Sequence, residues 1–162
     1  MPSPYSAKLD LGDYLPYLAN RVGTIIADQF SDEALAQHRL SIAMWRVLAV
    51  LASSGGQRQI DLAGLTSIDA STLSRLVSRL VRMGLVTRAR SARSHREVAV
   101  TLSAKGNALV ARLIPIARQF ERDAIAGLAP EELMLLKRCL RRMYGNMKKR
   151  PAVEHRPRRA AV

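Results

Sequence analysis

Apolar residues recur at helical spacing along most of this chain. The first stripe has members three or four positions apart: Leu11, Tyr14, Leu15, Leu18, Val22, Ile25 and Ile26. It predicts an N-terminal helix, preceded by an arm over residues 1–10. A second helix is predicted to begin at the N-cap Ser41 and to end at a Ser-Ser-Gly-Gly run. Two short helices are predicted next, over residues 57–65 and 69–83, and Gly84 is well placed to end the latter.

The hydrophobic period changes after Gly84. Residues 85–87 and 98–102 are short apolar runs of strand character, and residues 88–96 between them are polar and basic. This pattern predicts a two-stranded hairpin with a long basic tip.

Two further helices are predicted to follow the hairpin. The first extends from Ser103 to about residue 126, and Pro130 opens the second, since proline and the acidic residues after it suit a first helical turn. The second has an apolar stripe: Leu133, Leu136, Leu140, Met143 or Tyr144, and Met147. Residues 148–162 are basic and contain proline, and are predicted to be disordered. The predicted fold is therefore mainly α with a small β-hairpin wing.

Residues 41–102 have the order helix, helix, helix, hairpin, which is that of a winged helix. Gln59, Ala63 and Ser67 lie at four-residue steps, and Ile68 follows them. This spacing is similar to the helix-turn-helix pattern. Ala63 is small enough for two helices to cross closely, and Ile68 is expected to anchor the turn in the core. Ser67 stands where that pattern most often has glycine.

The second helix of this pair has one apolar and one polar face. Its apolar stripe consists of Leu73, Leu76, Val77 and Leu80. The remaining hydroxyl and guanidinium side chains are predicted to contact DNA: Ser71, Thr72, Ser74, Arg75, Ser78, Arg79 and Arg82. Small hydroxyls permit close approach to base edges, and arginines reach guanine or phosphate. An ordinary solvated face is the alternative, but like charges one turn apart repel and no acid lies beside them.

Positive charge is concentrated in the same region. The chain has a formal charge of +13, whereas about 2–8 charges suffice for the solubility of a small domain. A polyanionic partner is therefore expected, either nucleic acid or an anionic membrane surface. Residues 58–96 contain eight arginines and no lysine, and arginine suits bidentate contacts and narrow minor grooves. The predicted DNA-binding set therefore also includes Arg58, Arg88, Arg90, Arg93 and Arg96.

Three stretches resemble the MarR family of multiple-antibiotic-resistance-type regulators, and the resemblance extends over residues 11–147. They are Leu40 to Leu48, Ser71 to Val86, and Val98 to Gly106. The third is similar to the family's junction between wing and following helix, an aliphatic strand followed by Leu-Thr-x-x-Gly. The family usually has Asp-x-Arg in the wing, whereas Ser94 stands before Arg96 here.

The resemblance implies a homodimer that binds double-stranded DNA. Residues 11–37 and 104–147 would supply the dimerisation helices, and residues 41–102 the winged helix-turn-helix. Two recognition helices would enter successive major grooves of a near-palindromic operator, about 34–36 Å apart. The implied function is that of a ligand-responsive repressor.

The resemblance also implies a small-molecule effector, such as an aromatic acid or an acyl-thioester. It would bind between the dimerisation and DNA-binding parts, where the matching positions are Arg21, His38, Arg39, Met44 and Trp45. Met44 and Trp45 are more typical of a core than of a ligand site, and His38 and Arg39 are also typical of an ordinary loop. No cofactor or metal is expected, because the histidines lack metal-ligand spacing to cysteine or carboxylate.

Other classes of function are disfavoured. No nucleophile motif or glycine-rich phosphate loop indicates an enzyme. The basic C-terminal segment lacks the apolar face of a membrane-surface helix, and no apolar run approaches the roughly 20 residues of a membrane span. An architectural DNA-binding protein without sequence preference or ligand is the alternative that stays open.

The single cysteine, Cys139, is predicted to be a small buried apolar residue rather than an oxidant sensor. One cysteine cannot form an internal disulfide, and no signal peptide is visible at the N-terminus. A cytoplasmic protein is therefore expected.

Overall fold

The computed structural model describes residues 9–91 and 94–149, and at residues 90, 91 and 94–97 it describes the backbone only. Its helices are α1 (Leu15–Phe30), α2 (Ile42–Ser54), α3 (Gln59–Thr66), α4 (Ala70–Arg82), α5 (Ala104–Ala124) and α6 (Pro130–Lys148). Its strands are β1 (Gln57–Arg58), β2 (Val86–Ser91) and β3 (Ser94–Leu102). A π-helical turn (Ser31–Leu35) and a 3₁₀ turn (Ala36–His38) connect α1 to α2. The predicted mainly α fold is confirmed.

Helix α1 begins at Leu15, four residues later than the apolar stripe suggested. Pro16 lies in its first turn. Because proline has no N–H and its ring clashes with the carbonyl four residues earlier, the helix cannot extend back to Leu11. The preceding residues form a turn instead, in which the N–H of Gly12 donates to the side chain of Asp10 at 2.8 Å.

The sheet has three strands in the order β1-β3-β2, so the predicted two-stranded hairpin was incomplete. Gln57 and Arg58, predicted as helical, pair with Val100 and Ala99 of β3. A two-residue strand leaves no periodic pattern to detect. Strands β2 and β3 also continue through most of the predicted long tip, because backbone hydrogen bonds hold them where apolar alternation has stopped.

The turn between α3 and α4 is tight and has the geometry that the helix-turn-helix pattern requires. Ser67 adopts the left-handed conformation, with φ 55°, which glycine adopts more readily. The N–H of Ile68 reaches the carbonyl of Ala63 at 3.2 Å, and Ile68 packs partly buried against the core. This turn fixes where α4 begins relative to α3.

One hydrophobic core holds the winged helix-turn-helix together. It is formed by the end of α1, α2, α3, the inner face of α4, the sheet and α5, and it includes Leu35, Met44, Leu48, Leu62, Leu73, Val77, Leu80, Leu85, Val100 and Leu113. The predicted apolar face of α4 is therefore confirmed, with Leu76 only partly buried.

The start of α5 is joined closely to the end of α4. The hydroxyl of Ser103 donates to the carbonyl of Gly84 at 2.6 Å and accepts from the N–H of Gly106 at 2.9 Å. A Cβ at Gly106 would lie 2.0 Å from the carbonyl oxygen of Leu85, so only glycine permits this approach. Gly84 takes a left-handed conformation, with φ 70°, and ends α4 as predicted.

The described residues from Ile125 to Lys149 belong to a second compact unit, which contains α6. The carboxylate of Glu132 accepts from the N–H of Ala129 at 2.7 Å and satisfies a donor at the start of this helix. Within the described part of the chain, α6 buries none of its side chains. Cys139 is accordingly exposed, and the prediction that it is buried was wrong.

Every helix in the described residues is too short or too polar to span a lipid bilayer.

Candidate nucleic-acid interface

Asp69 caps the N-terminus of α4 and fixes its first turn. Its carboxylate accepts from the hydroxyl of Ser71 at 2.7 Å and from the N–H of Thr72 at 2.9 Å. These hydrogen bonds, the Ser71 hydroxyl first, hold the pKa of Asp69 well below its ordinary range because they stabilise the charged form. The structure thus orients Ser71 and Thr72 at the end of α4 that is predicted to meet DNA.

The outer face of α4 is exposed and positively charged. Ser71, Arg75, Arg79 and Arg82 are all exposed, while Ser74 and Ser78 are partly buried beside them. Within the ranges that the structure describes, no carboxylate forms an ion pair with these arginines. Their charge is therefore available to a polyanion.

Two arginines of the predicted set bond to hydroxyls of the same set. A guanidinium nitrogen of Arg75 donates to Thr72 at 3.3 Å, within α4. A guanidinium nitrogen of Arg88, on β2, donates to Ser78 of α4 at 3.0 Å. The second bond connects β2 of the hairpin to α4, so these two elements present one continuous polar surface.

Arg79 makes a longer contact outside this surface. Its Nη2 lies 3.5 Å from the carbonyl oxygen of Arg39. Arg39 ends the 3₁₀ turn before α2 in a left-handed conformation. Arg39, which is predicted to bind an effector, is therefore in contact with Arg79, which is predicted to bind DNA.

Arg58 lies at the entrance to α3 and pairs with Asp61 there. Its Nε and Nη2 donate to the two carboxylate oxygens at 2.6 and 3.1 Å. These hydrogen bonds lower the pKa of Asp61. The pairing holds Arg58 at the edge of the winged helix and neutralises part of its charge.

Three predicted DNA contacts lie wholly or partly beyond what the structure describes. Arg93 is outside the described residues, and so are the side chains of Arg90 and Arg96, whose backbones belong to β2 and β3.

The five residues predicted for an effector lie in different places. Met44 is fully buried in the core, which supports a packing role. Trp45 lines a cavity of about 240 Å³ and stacks edge-on against Phe30, with ring centroids 5.3 Å apart. Arg21 lines a groove along α1 and lies over the ring of Tyr17.

His38 and Arg39 line a separate cleft of about 310 Å³. The structure brings Lys105 and Arg112 of α5 into the same cleft. Nothing in the sequence pattern had indicated these two cations. Their seven-residue separation places them on one face of a helix, but only the tertiary fold shows which loop that face meets.

Comparison with known proteins agrees with this geometry. The MarR family model matches residues 40–98. The crystal structure of a MarR-family transcriptional regulator from Silicibacter pomeroyi is similar with a TM-score of 0.77 and 30% identity, over 91% of this chain and 99% of that one. An HTH-type transcriptional repressor of Mycobacterium tuberculosis is 29% identical over 129 residues, which are 80% of this chain and 92% of that protein.

A third similar protein is BpsR of Bordetella bronchiseptica, with a TM-score of 0.69 and 27% identity over 80% of this chain and 98% of that one. Its structure concerns the regulation of its DNA binding by 6-hydroxynicotinic acid. The fold and the basic face of α4 define a winged-helix transcriptional regulator. The chain belongs to the MarR family.

Proposed function

We propose that this protein binds a specific operator as a homodimer and represses transcription from it. The observation that carries the proposal is the outer face of α4, where Ser71, Arg75 and Arg79 are exposed beyond a capped N-terminus. A helix end with small hydroxyls and long guanidinium groups suits entry into the major groove. Repression is proposed because the similar mycobacterial protein is named a repressor.

The wing is proposed to grip the adjacent minor groove. Arg88 is held beside α4 by its bond to Ser78, so the two elements would follow the duplex together. Arg90, Arg93 and Arg96 lie further along the hairpin in sequence and are proposed to contact phosphates or the minor groove.

Dimerisation is proposed to use two exposed apolar faces. On α1 the face consists of Leu15, Leu18, Val22 and Ile25, all exposed in the single chain. On α6 it consists of Leu136, Leu140, Tyr144 and Met147, also exposed. Contiguous apolar surface of this kind marks an interaction site, and a second copy of the chain is the proposed occupant of both faces.

Binding of a small aromatic acid or acyl-thioester is proposed to release the DNA. Support comes from BpsR, whose DNA binding is regulated by 6-hydroxynicotinic acid. It also comes from the cleft at His38 and Arg39, which has a cationic rim and lies against the end of α4.

Footprinting on the DNA beside the protein's own gene tests the main proposal. The protected sequence is then compared with a scrambled duplex by fluorescence anisotropy near physiological salt. A specific regulator should prefer the operator by about 10³-fold or more, and its affinity should fall steeply with added salt. Equal affinity for both duplexes would overturn sequence-specific regulation and favour the architectural alternative.

A further inference from the structure

The cleft beside the end of α4 combines an apolar floor with a cationic rim. Met83, Leu85 and Leu109 supply the apolar surface. The other lining residues among those described are His38, Arg39, Lys105 and Arg112. Three permanent cations and an imidazole thus surround a volume of about 310 Å³, and the lining includes no carboxylate.

This combination fits an amphipathic anion better than a free inorganic one. The volume is at the lower end of ligand sites, about 300–1,000 Å³, and is suited to a one-ring compound. Burial of an apolar body against Leu85 and Leu109 would add to the attraction between a carboxylate and the rim. A phosphate ion would gain only the attraction to the cationic rim, because it has no apolar body to bury.

Two contacts join the cleft to the recognition helix. The ammonium of Lys105 donates to the carbonyl of Met83 at 2.9 Å. Met83 is the C-cap of α4, where unpaired carbonyls leave a partial negative charge that a cation stabilises. At the rim, Arg79 of α4 lies 3.5 Å from the carbonyl of Arg39. The cleft therefore touches α4 at its last turn and through one of its exposed arginines.

We infer that Lys105 is the residue through which a carboxylate in this cleft weakens DNA binding, an inference that rests on the proposed ligand-responsive function. A charged carboxylate accepts a stronger hydrogen bond than a neutral carbonyl, so an acid seated in the cleft competes with the carbonyl of Met83 for the Lys105 ammonium and weakens the bond between them. The last turn of α4 loses its cationic partner, and the orientation of the recognition helix is less firmly held.

The coupling between acid and operator is reciprocal. If the acid lowers operator affinity by a given factor, the operator lowers acid affinity by the same factor. Lys105 acts through α4 rather than on DNA itself, so it is a positioning residue. Its removal should imitate the acid-bound state, whereas removal of Arg112 should only weaken the acid.

The test uses the full-length protein, with benzoate and 6-hydroxynicotinate as probes and benzamide as the neutral control. Isothermal titration gives acid affinity without DNA, and anisotropy gives operator affinity with and without saturating acid. The variants are Lys105→Met, Arg112→Gln and Arg118→Gln. Arg118 is an exposed cation of α5 outside the cleft lining, so it controls for the loss of one charge.

Three results are expected. At least one acid binds the unmodified protein, and Arg112→Gln weakens that binding about 10-fold while Arg118→Gln leaves it unchanged. Saturating acid lowers operator affinity several-fold in the unmodified protein and in Arg112→Gln. Lys105→Met has lower operator affinity than Arg118→Gln without acid, and saturating acid changes it no further.

Two outcomes would overturn the inference. One is that Lys105→Met and Arg112→Gln both bind the acid as tightly as the unmodified protein does, which would place the acid outside this cleft. The other is an operator response to acid that persists in Lys105→Met. A failure of the proposed function is distinguishable, because it appears as equal affinity for operator and scrambled DNA in the unmodified protein, while acid binding to the cleft is measured without DNA.

Discussion

The guanidinium of Arg88 donates a hydrogen bond to the hydroxyl of Ser78 at 3.0 Å and so joins strand β2 of the hairpin to helix α4. The two residues belong to different elements, β2 and α4, and both are predicted to lie at the DNA surface. The bond sets the position of a wing arginine relative to the helix that is proposed to read the bases.

If the bond positions Arg88 for DNA, the effect of removing Arg88 on operator affinity should depend on whether Ser78 is present. In a double-mutant cycle on operator affinity, Ser78→Ala and Arg88→Ala should deviate from additivity by about 0.5–1.5 kcal/mol. Ser74→Ala paired with Arg88→Ala is the control and should be additive within about 0.5 kcal/mol. Additive behaviour of both pairs would show that the bond does not position Arg88 on DNA.

Arg75 and Arg79 should carry base or phosphate recognition on α4. Arg75→Ala or Arg79→Ala should each cost about 1–3 kcal/mol of operator affinity. If the residue contacts bases, the ratio of operator affinity to scrambled-DNA affinity should also decrease. Arg118→Ala removes the same charge from α5 and should have a much smaller effect. An equal loss in all three variants would mean that only net charge matters.

The cap at Asp69 should make stability depend on acid pH. Its folded pKa is depressed below the ordinary value of 3.8, so its contribution is fully present above about pH 4 and is lost as pH falls further. Asp69→Asn keeps an oxygen that can accept from Thr72, whereas Asp69→Ala does not.

Thermal unfolding across this pH range measures the effect of Asp69. Asp69→Ala should lower the melting temperature more than Asp69→Asn at neutral pH. The difference between the unmodified protein and Asp69→Asn should shrink on acidification, which separates this carboxylate from the others that titrate in the same range. A difference that stays constant down to about pH 3 would contradict the depressed pKa.

Gly106 should tolerate no side chain. In Gly106→Ala the new Cβ would lie 2.0 Å from the carbonyl oxygen of Leu85, which is backbone and cannot rotate away. We expect a loss of about 1–3 kcal/mol in the free energy of unfolding, measured by urea titration. Gly64→Ala in α3 meets nothing within 4 Å and should be neutral, or stabilising by up to about 1 kcal/mol.

Leu140 should be required for dimerisation through α6. Leu140→Glu places a charge in the exposed apolar face, and sedimentation should then show monomers. Operator affinity should fall by about 10²-fold or more, because the two half-sites are no longer bound by linked subunits. Arg138→Gln changes the charge equally on the opposite side of α6 and should leave the protein dimeric. A dimeric Leu140→Glu would place the interface elsewhere.

Local patterns predicted much of the structure of α2 and α4. The N-cap Ser41 accepts from the N–H of Met44 as its residue type suggests, and Gly84 ends α4 in a left-handed conformation. Leu73, Val77 and Leu80 of the apolar stripe of α4 are buried, Leu76 is partly buried, and the arginines of the helix are exposed. Each of these features depends on residues within a few positions of one another, which is the range over which helix periodicity and capping act.

Contacts between distant segments were not predictable in this way. Strand β1 exists because Gln57 and Arg58 pair with β3 about forty residues later, and two residues have no period of their own. The three cations and the imidazole of the cleft come from a turn before α2 and from one face of α5.

The sequence by itself therefore determined which side chains α4 presents and how that helix is ended at Gly84, since these follow from the chemistry of neighbouring residues. Only the tertiary structure decided that Arg88 bonds to Ser78, that Lys105 bonds to Met83, and that His38 and Arg39 face Lys105 and Arg112. The physical reason is that those contacts form when separate elements pack on one core. The hydrophobic periodicity of a single helix or strand does not specify which other element it packs against.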